Sequence, residues 1–336
     1  MNEKIENLLK EDRKFPPSEE LVKNANAPSS WYDEANEDRL KFWQKQALTR
    51  ISWFKEPTEI LDDSNPPFFK WFKDGELNLS YNCLDRHLES DGDRVAFYWE
   101  GEPGDTQKIT YQDLYERVCK LSNAMKKLGV EKGDRVAIYL GMTPEIVVSM
   151  LACARIGAVH SVVFGGFSSE ALADRINDAK AKTVITADGA WRRGDIVPLK
   201  NNVDGSLELT EYVENVIVVK RTEQEINMTD GRDHWYHELT DNESSDCEPE
   251  IMNSEDMLYI LYTSGTTAKP KGIVHTQAGY LTGVTTTHHE VFDVKEDDIY
   301  WCAADCGWVT GHSYIVYGPL ANKATSVMYE GAPNAP

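Results

Sequence analysis

The sequence predicts an α/β fold with mostly parallel sheets that are flanked by helices. From Gly92 onward, short apolar segments alternate with segments in which apolar residues recur every three or four positions. This alternation is typical of parallel strands connected by helices. A chain of 336 residues with 41% hydrophobic content can also bury a large core. We therefore expect one large α/β domain with a smaller segment packed against it.

The first helix of this region has the clearest boundaries. Between Tyr111 and Leu128, apolar residues recur at helical spacing, with Thr110 as the N-cap and Gly129 as the stop signal. Because ligands gather beyond the carboxyl ends of parallel strands, we expect the loops after residues 164, 187, 262 and 304 to carry the site. The other predicted elements are strands at 94–99, 135–140, 159–164, 183–186 and 216–220, a buried strand that starts at Tyr300 and breaks into a glycine-containing turn, and helices at 144–156 and 168–179.

The flanking segments differ in composition from this α/β region. Residues 1–30 are charged and interrupted by proline, which predicts a mobile or loosely docked arm. Residues 31–89 form an aromatic-rich segment, and residues 90–336 form the main domain. Within that domain we expect the acidic run 241–256 to be a solvated connector. Residues 231–237 contain two histidines, but their polar surroundings predict a surface loop.

The charge of the chain excludes several kinds of partner. With 35 basic and 56 acidic side chains, the net charge is −21, which argues against nucleic acid and anionic membranes. No apolar run approaches the roughly 18 residues that span a bilayer, and the first residues lack an apolar targeting region, so we expect a cytoplasmic protein. The six cysteines show no CxxC spacing. They are expected to be free core thiols, with no metal site.

The segment from Leu261 to His275 carries the strongest chemical signal. Residues 257–262 read as a buried parallel strand, and the residues that follow offer hydroxyls, backbone N–H groups and lysines to a phosphate chain. Pro270 stands where a Walker A loop has its second glycine, which argues against a kinase or GTPase. We expect Lys271 to make the direct, catalytic phosphate contact. The full set expected at the phosphates of ATP is Thr263, Ser264, Gly265, Thr266, Thr267, Lys269 and Lys271.

This loop resembles the nucleotide-binding signature of the adenylate-forming enzymes, with Ala268 where most members have glycine. Residues 71–78 (WFKDGELN) and 81–87 (YNCLDRH) closely resemble the N-terminal segment of one family among them, the AMP-forming acetyl-CoA synthetases. The resemblance extends over residues 31–336. It implies the large N-terminal domain of the adenylate-forming fold in truncated form, since that family continues for roughly as long again.

The resemblance also implies a CoA site and a small acyl pocket. Two arginines after a strand suit phosphate groups, and Arg193 can replace the arginine that some members have at the position of Asp195. Trp308 fits a core strand as well as the acyl pocket, and we expect His312 to be structural. The residues implied for CoA are Gly165, Arg192, Arg193, Gly194, Thr310 and Asn334, and those implied for the acyl pocket are Val309 and Thr310.

The implied reaction joins acetate to CoA at the expense of ATP, through acetyl-adenylate. The family places its Mg²⁺ ligands, ribose contact and mobile catalytic lysine in the remaining half, so the 336 residues alone are expected to be inactive. Two alternatives stay open. One is a synthetase for another short acid, such as propionate or hydroxypropionate, and the other is a non-catalytic protein that binds ATP or CoA. The sequence does not predict the oligomeric state.

Overall fold

The computed structural model describes residues 13–263 and 270–332. The strands in chain order are β1 (Leu61–Asp62), β2 (Lys70–Trp71), β3 (Glu76–Leu77), β4 (Val95–Glu100), β5 (Thr106–Thr110), β6 (Arg135–Tyr139), β7 (Val159–Val162), β8 (Thr183–Ala187), β9 (Ala190–Arg192), β10 (Asp195–Val197), β11 (Asn215–Val219), β12 (Asp233–Trp235), β13 (Met252–Asn253), β14 (Met257–Thr263), β15 (Lys271–Thr276), β16 (Ile299–Trp301) and β17 (Thr325–Tyr329).

The helices lie between and around these strands. In chain order they are α1 (Glu19–Asn24), α2 (Ser30–Glu37), α3 (Arg39–Arg50), α4 (Leu79–Cys83), α5 (Asp85–Asp91), α6 (Tyr111–Lys127), α7 (Pro144–Ile156), α8 (Ser169–Ala179), α9 (Leu199–Leu207), α10 (Tyr236–Thr240), α11 (Ala278–Val291), α12 (Val309–Gly311) and α13 (Gly318–Ala321). A π-helical stretch, His312–Tyr317, joins α12 to α13.

A seven-stranded sheet with the order β12-β11-β8-β6-β7-β14-β15 forms the centre of the molecule. Its strand pairs are parallel except for β14 and β15, which are antiparallel. The predicted α/β class is therefore confirmed. The prediction that 257–262 is a buried parallel strand is only partly right, because β14 pairs with β7 at Tyr259 alone and runs antiparallel to β15 over most of its length.

The predicted helices form where their capping and burial signals agree. Thr110 caps α6 in a capping box with Asp113, and Gly129 follows the helix with a φ of 83°. Every residue of α7 except Glu145 is buried, as an apolar helix inside a parallel α/β fold should be. The predicted bounds of these two helices are confirmed to within one residue.

A second sheet has the strand order β16-β17-β4-β5. Strand β4 was predicted from its apolar sequence, whereas the polar strand β5 was not. β17 pairs in parallel with both β16 and β4, so residues close to 100 and close to 330 lie side by side. This sheet brings the end of the described chain to the edge of the central sheet.

The aromatic-rich N-terminal segment packs into the same core as the main domain. Phe72, Leu77 and Leu79 are buried in that core. The side chain of Asn78 donates to the carbonyls of Ala154 (3.0 Å) and Glu250 (2.9 Å). Of the predicted arm, residues 13–22 are exposed. The arm is nevertheless anchored at its end, where the Asn26 side chain donates to the carbonyls of residues 289 and 294.

The structure corrects two predictions for the polar region between residues 230 and 256, the first in full and the second in part. The expected surface loop at 231–237 contains β12, an edge strand of the central sheet, because buried Lys200 pairs with Asp233 at 3.0 Å and holds the strand there. The prediction of a solvated connector at 241–256 is only partly right, because half of its residues are exposed but the segment is docked against the core. Cys247 and Met252 are buried, and the carbonyl of Cys247 accepts a hydrogen bond from the Arg155 guanidinium.

The cysteines are free thiols, and five of the six are buried. Within residues 13–263 and 270–332, no helix is both long enough and apolar enough to cross a membrane.

Candidate active site

A pocket of about 350 Å³ opens between the carboxyl ends of β6 and β7 and the second sheet. Its walls come from the loops after β6 and β7 and from strands β16 and β17. The cavity therefore forms beyond the carboxyl ends of parallel strands, where the site was expected. The residues that line the pocket are Met142, Phe164, Arg192, Trp301, Cys302, Ala303, Ala304, Asp305, Trp308, Thr310, Ile315, Met328, Tyr329, Gly331 and Ala332.

Arg192 reaches this pocket from a β-hairpin formed by β9 and β10. Its guanidinium lies over the ring of Phe164, 5.1 Å from the ring centroid. Arg193 and Gly194 form the two-residue turn of the hairpin, with φ values of 56° and 82°. Positive φ at both positions is typical of a type I′ turn, which glycine accepts readily and arginine adopts at a cost. The turn thus places Arg192 in the pocket and leaves Arg193 exposed beside it.

A tight turn after β16 closes the other side of the pocket. Asp305 accepts a hydrogen bond from the backbone N–H of Gly307 at 2.7 Å. A Cβ atom at position 307 would lie only 2.8 Å from the Cα of Phe164, so glycine is required for the turn to pack against that loop. Burial raises the pKa of the Asp305 carboxyl, while the Gly307 N–H and the Arg192 guanidinium act in the opposite direction.

The two residues expected in the acyl pocket differ in position. Thr310 lines the cavity, whereas Val309 is half exposed and is not part of the lining. Trp308 is also half exposed and lines the cavity, so the core-strand interpretation of this residue is wrong. The expected buried strand around residue 300 is short and largely exposed.

His312 lies directly behind this turn. Its Nδ1 atom is 3.1 Å from the carbonyl oxygen of Trp308, and its ring stacks on that of His160. Burial lowers the pKa of His312 to about 4, so the imidazole is neutral at physiological pH. The side chain supports the turn from inside the core, in agreement with its expected structural role.

Gly165 lies in the loop after β7, next to the Arg192 hairpin. The hydroxyl of Tyr139 is 3.1 Å from the carbonyl oxygen of Gly165 and 2.6 Å from that of Phe167, which fixes the path of the loop. Gly165 and Arg192 line a small cleft that continues from the main pocket. The structure therefore brings Gly165, Arg192 and Thr310 into one region.

The expected phosphate residues lie one strand further along the same sheet. Thr263 ends β14 and Lys271 begins β15, so the pair forms the last described rung below the predicted loop. Both side chains are exposed. The remaining predicted residues, Ser264, Gly265, Thr266, Thr267 and Lys269 in the loop and Asn334 at the CoA site, lie outside the described residues.

Helix α8 connects these two regions. It begins immediately after the Gly165 loop, and Ser168 caps it by accepting the N–H of Ala171. Two turns later, the Arg175 guanidinium packs between the rings of Phe167 and Tyr262, at 4.6 and 5.6 Å from their centroids. The Tyr262 hydroxyl also donates to Asp178 at 2.7 Å. One helix thus contacts both the loop beside the pocket and the base of the predicted phosphate loop.

Sequence reasoning missed several residues that shape the site. They include Asp305, Tyr139 and Glu102. Tyr139 and Glu102 act through contacts with residues far away in the chain, and Glu102 accepts backbone hydrogen bonds from a turn 91 residues later. For Asp305, the signal was its position after a predicted strand. Glu102 lies in a polar turn that carries no comparable signal.

The described residues offer no group of three or more His, Cys, Asp or Glu side chains that could hold a metal ion.

Comparison with known proteins identifies the class to which this fold and pocket belong. The family model described as "AMP-binding enzyme" matches residues 84–336, and the chain belongs to this family. A second model, described as the acetyl-coenzyme A synthetase N-terminus, matches residues 29–83. Together they confirm the resemblance that the sequence motifs indicated.

The curated relatives are similar along the whole chain. The acetyl-coenzyme A synthetase of Streptomyces avermitilis is 60% identical over 337 residues, which cover 100% of this chain and 52% of that protein. The acetyl-coenzyme A synthetase of Streptomyces coelicolor is 59% identical, with the same coverage. That of Pasteurella multocida is 53% identical and covers 98% of this chain and 51% of the relative. The chain spans about half the length of these curated relatives.

Proposed function

We propose that the protein is an acetate–CoA ligase of the AMP-forming type, acting in the cytoplasm on acetate, ATP and CoA. The products are acetyl-CoA, AMP and diphosphate. The observation that carries the proposal is the pocket in which Arg192 and Thr310 meet, in a chain whose N-terminal segment matches that of acetyl-coenzyme A synthetase. The relatives that match this chain over its whole length are acetyl-coenzyme A synthetases, and this supports the choice of acetate as the substrate.

In the first step, an oxygen of the acetate carboxylate attacks the α-phosphorus of ATP, and the bond from that phosphorus to diphosphate breaks. Such phosphoryl transfer depends on positioning and charge neutralisation more than on covalent help. We assign Lys271 to the charge on the leaving diphosphate. The other residues assigned to the phosphates are Thr263, Ser264, Gly265, Thr266, Thr267 and Lys269.

In the second step, the CoA sulfur attacks the acetyl carbonyl carbon, the bond to AMP breaks and the thiol proton is released. We assign the Arg192 guanidinium to a CoA phosphate, because it is a cation at the mouth of a pocket in a protein of net charge −21. Thr310 would serve both CoA and the acyl group. The further CoA contacts in the proposal are Gly165, Arg193, Gly194 and Asn334, and Val309 would border the acyl group.

The two steps can be separated by experiment. The 336 residues are joined to the remaining half of the Streptomyces avermitilis relative, to give what we term the joined enzyme. Replacing Arg192→Ala together with Arg193→Ala should raise the KM for CoA about tenfold or more, because two charge-assisted phosphate contacts are lost. Acetate-dependent pyrophosphate exchange, which needs no CoA, should remain nearly unchanged.

Arg117→Ala is a suitable control, because Arg117 contacts Gln107 away from the pocket. This variant should keep the CoA KM of the parent enzyme. If exchange falls as much as thioester formation in the double variant, the arginine pair serves ATP binding or folding and its assignment to CoA is wrong. Lack of any acetate-dependent thioester formation by the soluble joined enzyme would contradict the proposed reaction itself.

A further inference from the structure

Glu102 holds the turn of the Arg192 hairpin from outside. Its carboxylate accepts the backbone N–H of Arg193 at 2.9 Å through one oxygen and the N–H of Gly194 at 2.5 Å through the other. A carboxylate bound by two successive N–H groups forms strong, directional hydrogen bonds. The turn needs such support, because Arg193 has a φ of 56°, in the left-handed region that non-glycine residues enter at a cost.

Glu102 is itself fixed by a buried ion pair. Its backbone N–H donates to the carboxylate of Glu330 at 3.1 Å, and Glu330 is almost fully buried at the end of β17. The Arg221 guanidinium donates to both oxygens of Glu330 at 2.8 and 2.5 Å. The same guanidinium also pairs with Asp105 in the turn that contains Glu102, at 3.0 and 3.1 Å. The support for the hairpin is therefore anchored in the second sheet.

We propose that Glu102 is a positioning residue for CoA, which acts by holding the Arg193–Gly194 turn so that Arg192 stays over Phe164. The identity of the ligand, CoA, rests on the proposed function. The hydrogen bonds by which Glu102 holds the turn do not depend on which ligand binds. A negative charge beside an anion site would by electrostatics alone weaken CoA binding. Glu102 instead strengthens binding, because the geometry it maintains outweighs its charge. The two effects have opposite signs, so the direction of a change in KM separates them.

The hold on the turn can be measured in the 336-residue chain without any substrate. Trypsin cuts after arginine, and it needs a locally opened backbone to do so. Glu102→Ala should speed cleavage after Arg192 and Arg193 about tenfold, because two hydrogen bonds to the turn are lost. Glu102→Gln should be intermediate, because an amide can accept through only one of its two terminal atoms.

Asp74 provides a matched control. Its carboxylate also accepts two successive backbone N–H groups, those of Thr58 at 2.8 Å and Glu59 at 2.9 Å, in the N-terminal segment. Asp74→Asn removes a similar interaction away from the hairpin. It should leave both cleavage at the hairpin and the KM for CoA unchanged.

The role in CoA binding is tested in the joined enzyme. Glu102→Ala should raise the KM for CoA between about three- and tenfold and leave the KM for ATP and acetate unaltered. The increase should be smaller when Arg193 is first replaced by asparagine, because Asn-Gly favours this turn without help. That rescue distinguishes a residue that holds the turn from one that touches CoA.

The rate of tryptic cleavage and the KM for CoA together decide whether Glu102 holds the turn and whether the turn serves CoA binding. Unchanged tryptic cleavage in Glu102→Ala would show that Glu102 does not hold the turn, whatever the ligand is. Faster cleavage with an unchanged or lower KM for CoA would overturn the positioning role. If Arg192→Ala then also leaves that KM unchanged, the proposed CoA site at the hairpin fails, while the hold on the turn stands.

Discussion

At the scale of single residues, the candidate site consists of a few cations in a strongly acidic chain. Arg192 lies over Phe164 in the pocket, whereas Lys271 is exposed at the start of β15, opposite Thr263. Neither side chain makes an ion pair with a carboxylate among the described salt bridges of residues 13–263 and 270–332. Both cations are thus available to an anionic ligand at the edge of the central sheet.

Lys271→Ala in the joined enzyme should slow pyrophosphate exchange at subsaturating ATP. The lost charge neutralisation corresponds to about 1–3 kcal/mol, or roughly a five- to 150-fold loss. Lys108→Ala is the control, because Lys108 is an exposed lysine on strand β5. Unaltered exchange in the Lys271 variant, measured at the same ATP concentration, would remove Lys271 from the phosphate site.

Residues whose partners are close in sequence were the ones that could be predicted. The Thr110 cap and the Gly129 stop of helix α6 depend on residues within a few positions, whereas the hairpin turn at Arg193 and Gly194 was not predicted. The support of that turn by Glu102, and of Glu102 by Glu330, joins residues 91 and 228 positions apart. No local pattern encodes such pairs, since their geometry is set only when the two sheets meet.

At the scale of elements, helix α8 links the loop beside the pocket to the base of the predicted phosphate loop. The link consists of Arg175 between two aromatic rings and of the hydrogen bond from Tyr262 to Asp178. Tyr262 also lies directly before Thr263, at the end of β14. A change at Tyr262 should therefore be felt by the residues that are assigned to ATP.

Tyr262→Phe removes the hydrogen bond to Asp178 and keeps the ring. We expect the KM for ATP in the joined enzyme to rise between about two- and tenfold, with a similar kcat, since one hydrogen bond that orients the loop is lost. The control is Tyr115→Phe. The Tyr115 hydroxyl also donates to an aspartate, Asp246, at 3.2 Å, and its ring also lies under an arginine guanidinium, that of Arg155. This tyrosine lies far from β14 in the fold. Equal effects of the two changes on the KM for ATP would contradict a role for α8.

Elements with a regular apolar pattern could be predicted, and those with a mixed pattern could not. Helix α11 was missed because it is rich in threonine and glycine, which favour helices poorly. Tertiary contacts stabilise it instead, and the hydroxyls of Thr282 and Thr287 bond to carbonyls one turn earlier. Strand β12 was missed for a related reason, since a buried ion pair rather than apolar spacing holds it to the sheet.

At the scale of the whole molecule, the core is continuous from the N-terminal segment to the second sheet. It encloses several histidines as neutral groups. Burial lowers the pKa of His87, His288 and His312 to about 4 in each case. The usual value for histidine is about 6.5, so the unfolded chain takes up protons between these two values that the folded protein does not.

The free energy of unfolding should therefore fall as the pH is lowered from 6.5 towards 4. Each of these histidines can contribute up to about 1.4 kcal/mol per pH unit in that interval. Urea unfolding at pH 7.5, 6 and 5 would measure the slope, and His288→Gln should make it shallower by removing one such group. An identical slope in the variant would show that folding does not lower the pKa of His288.

Strand β4 has two neighbours in the second sheet. One is β5, which follows β4 directly in the sequence, and the other is β17, near the end of the described chain, where Ser326 lies beside Phe97. A ribosome adds about 5–20 residues per second, so β4 waits on the order of 10 seconds or more during synthesis for its second neighbour. In that interval one edge of the nascent β4–β5 hairpin is open to other chains and to chaperones. The pocket wall formed by Met328 and Tyr329 can consequently assemble only after residue 325 has been synthesised, and the pace of translation between residues 100 and 325 sets how long that edge is exposed.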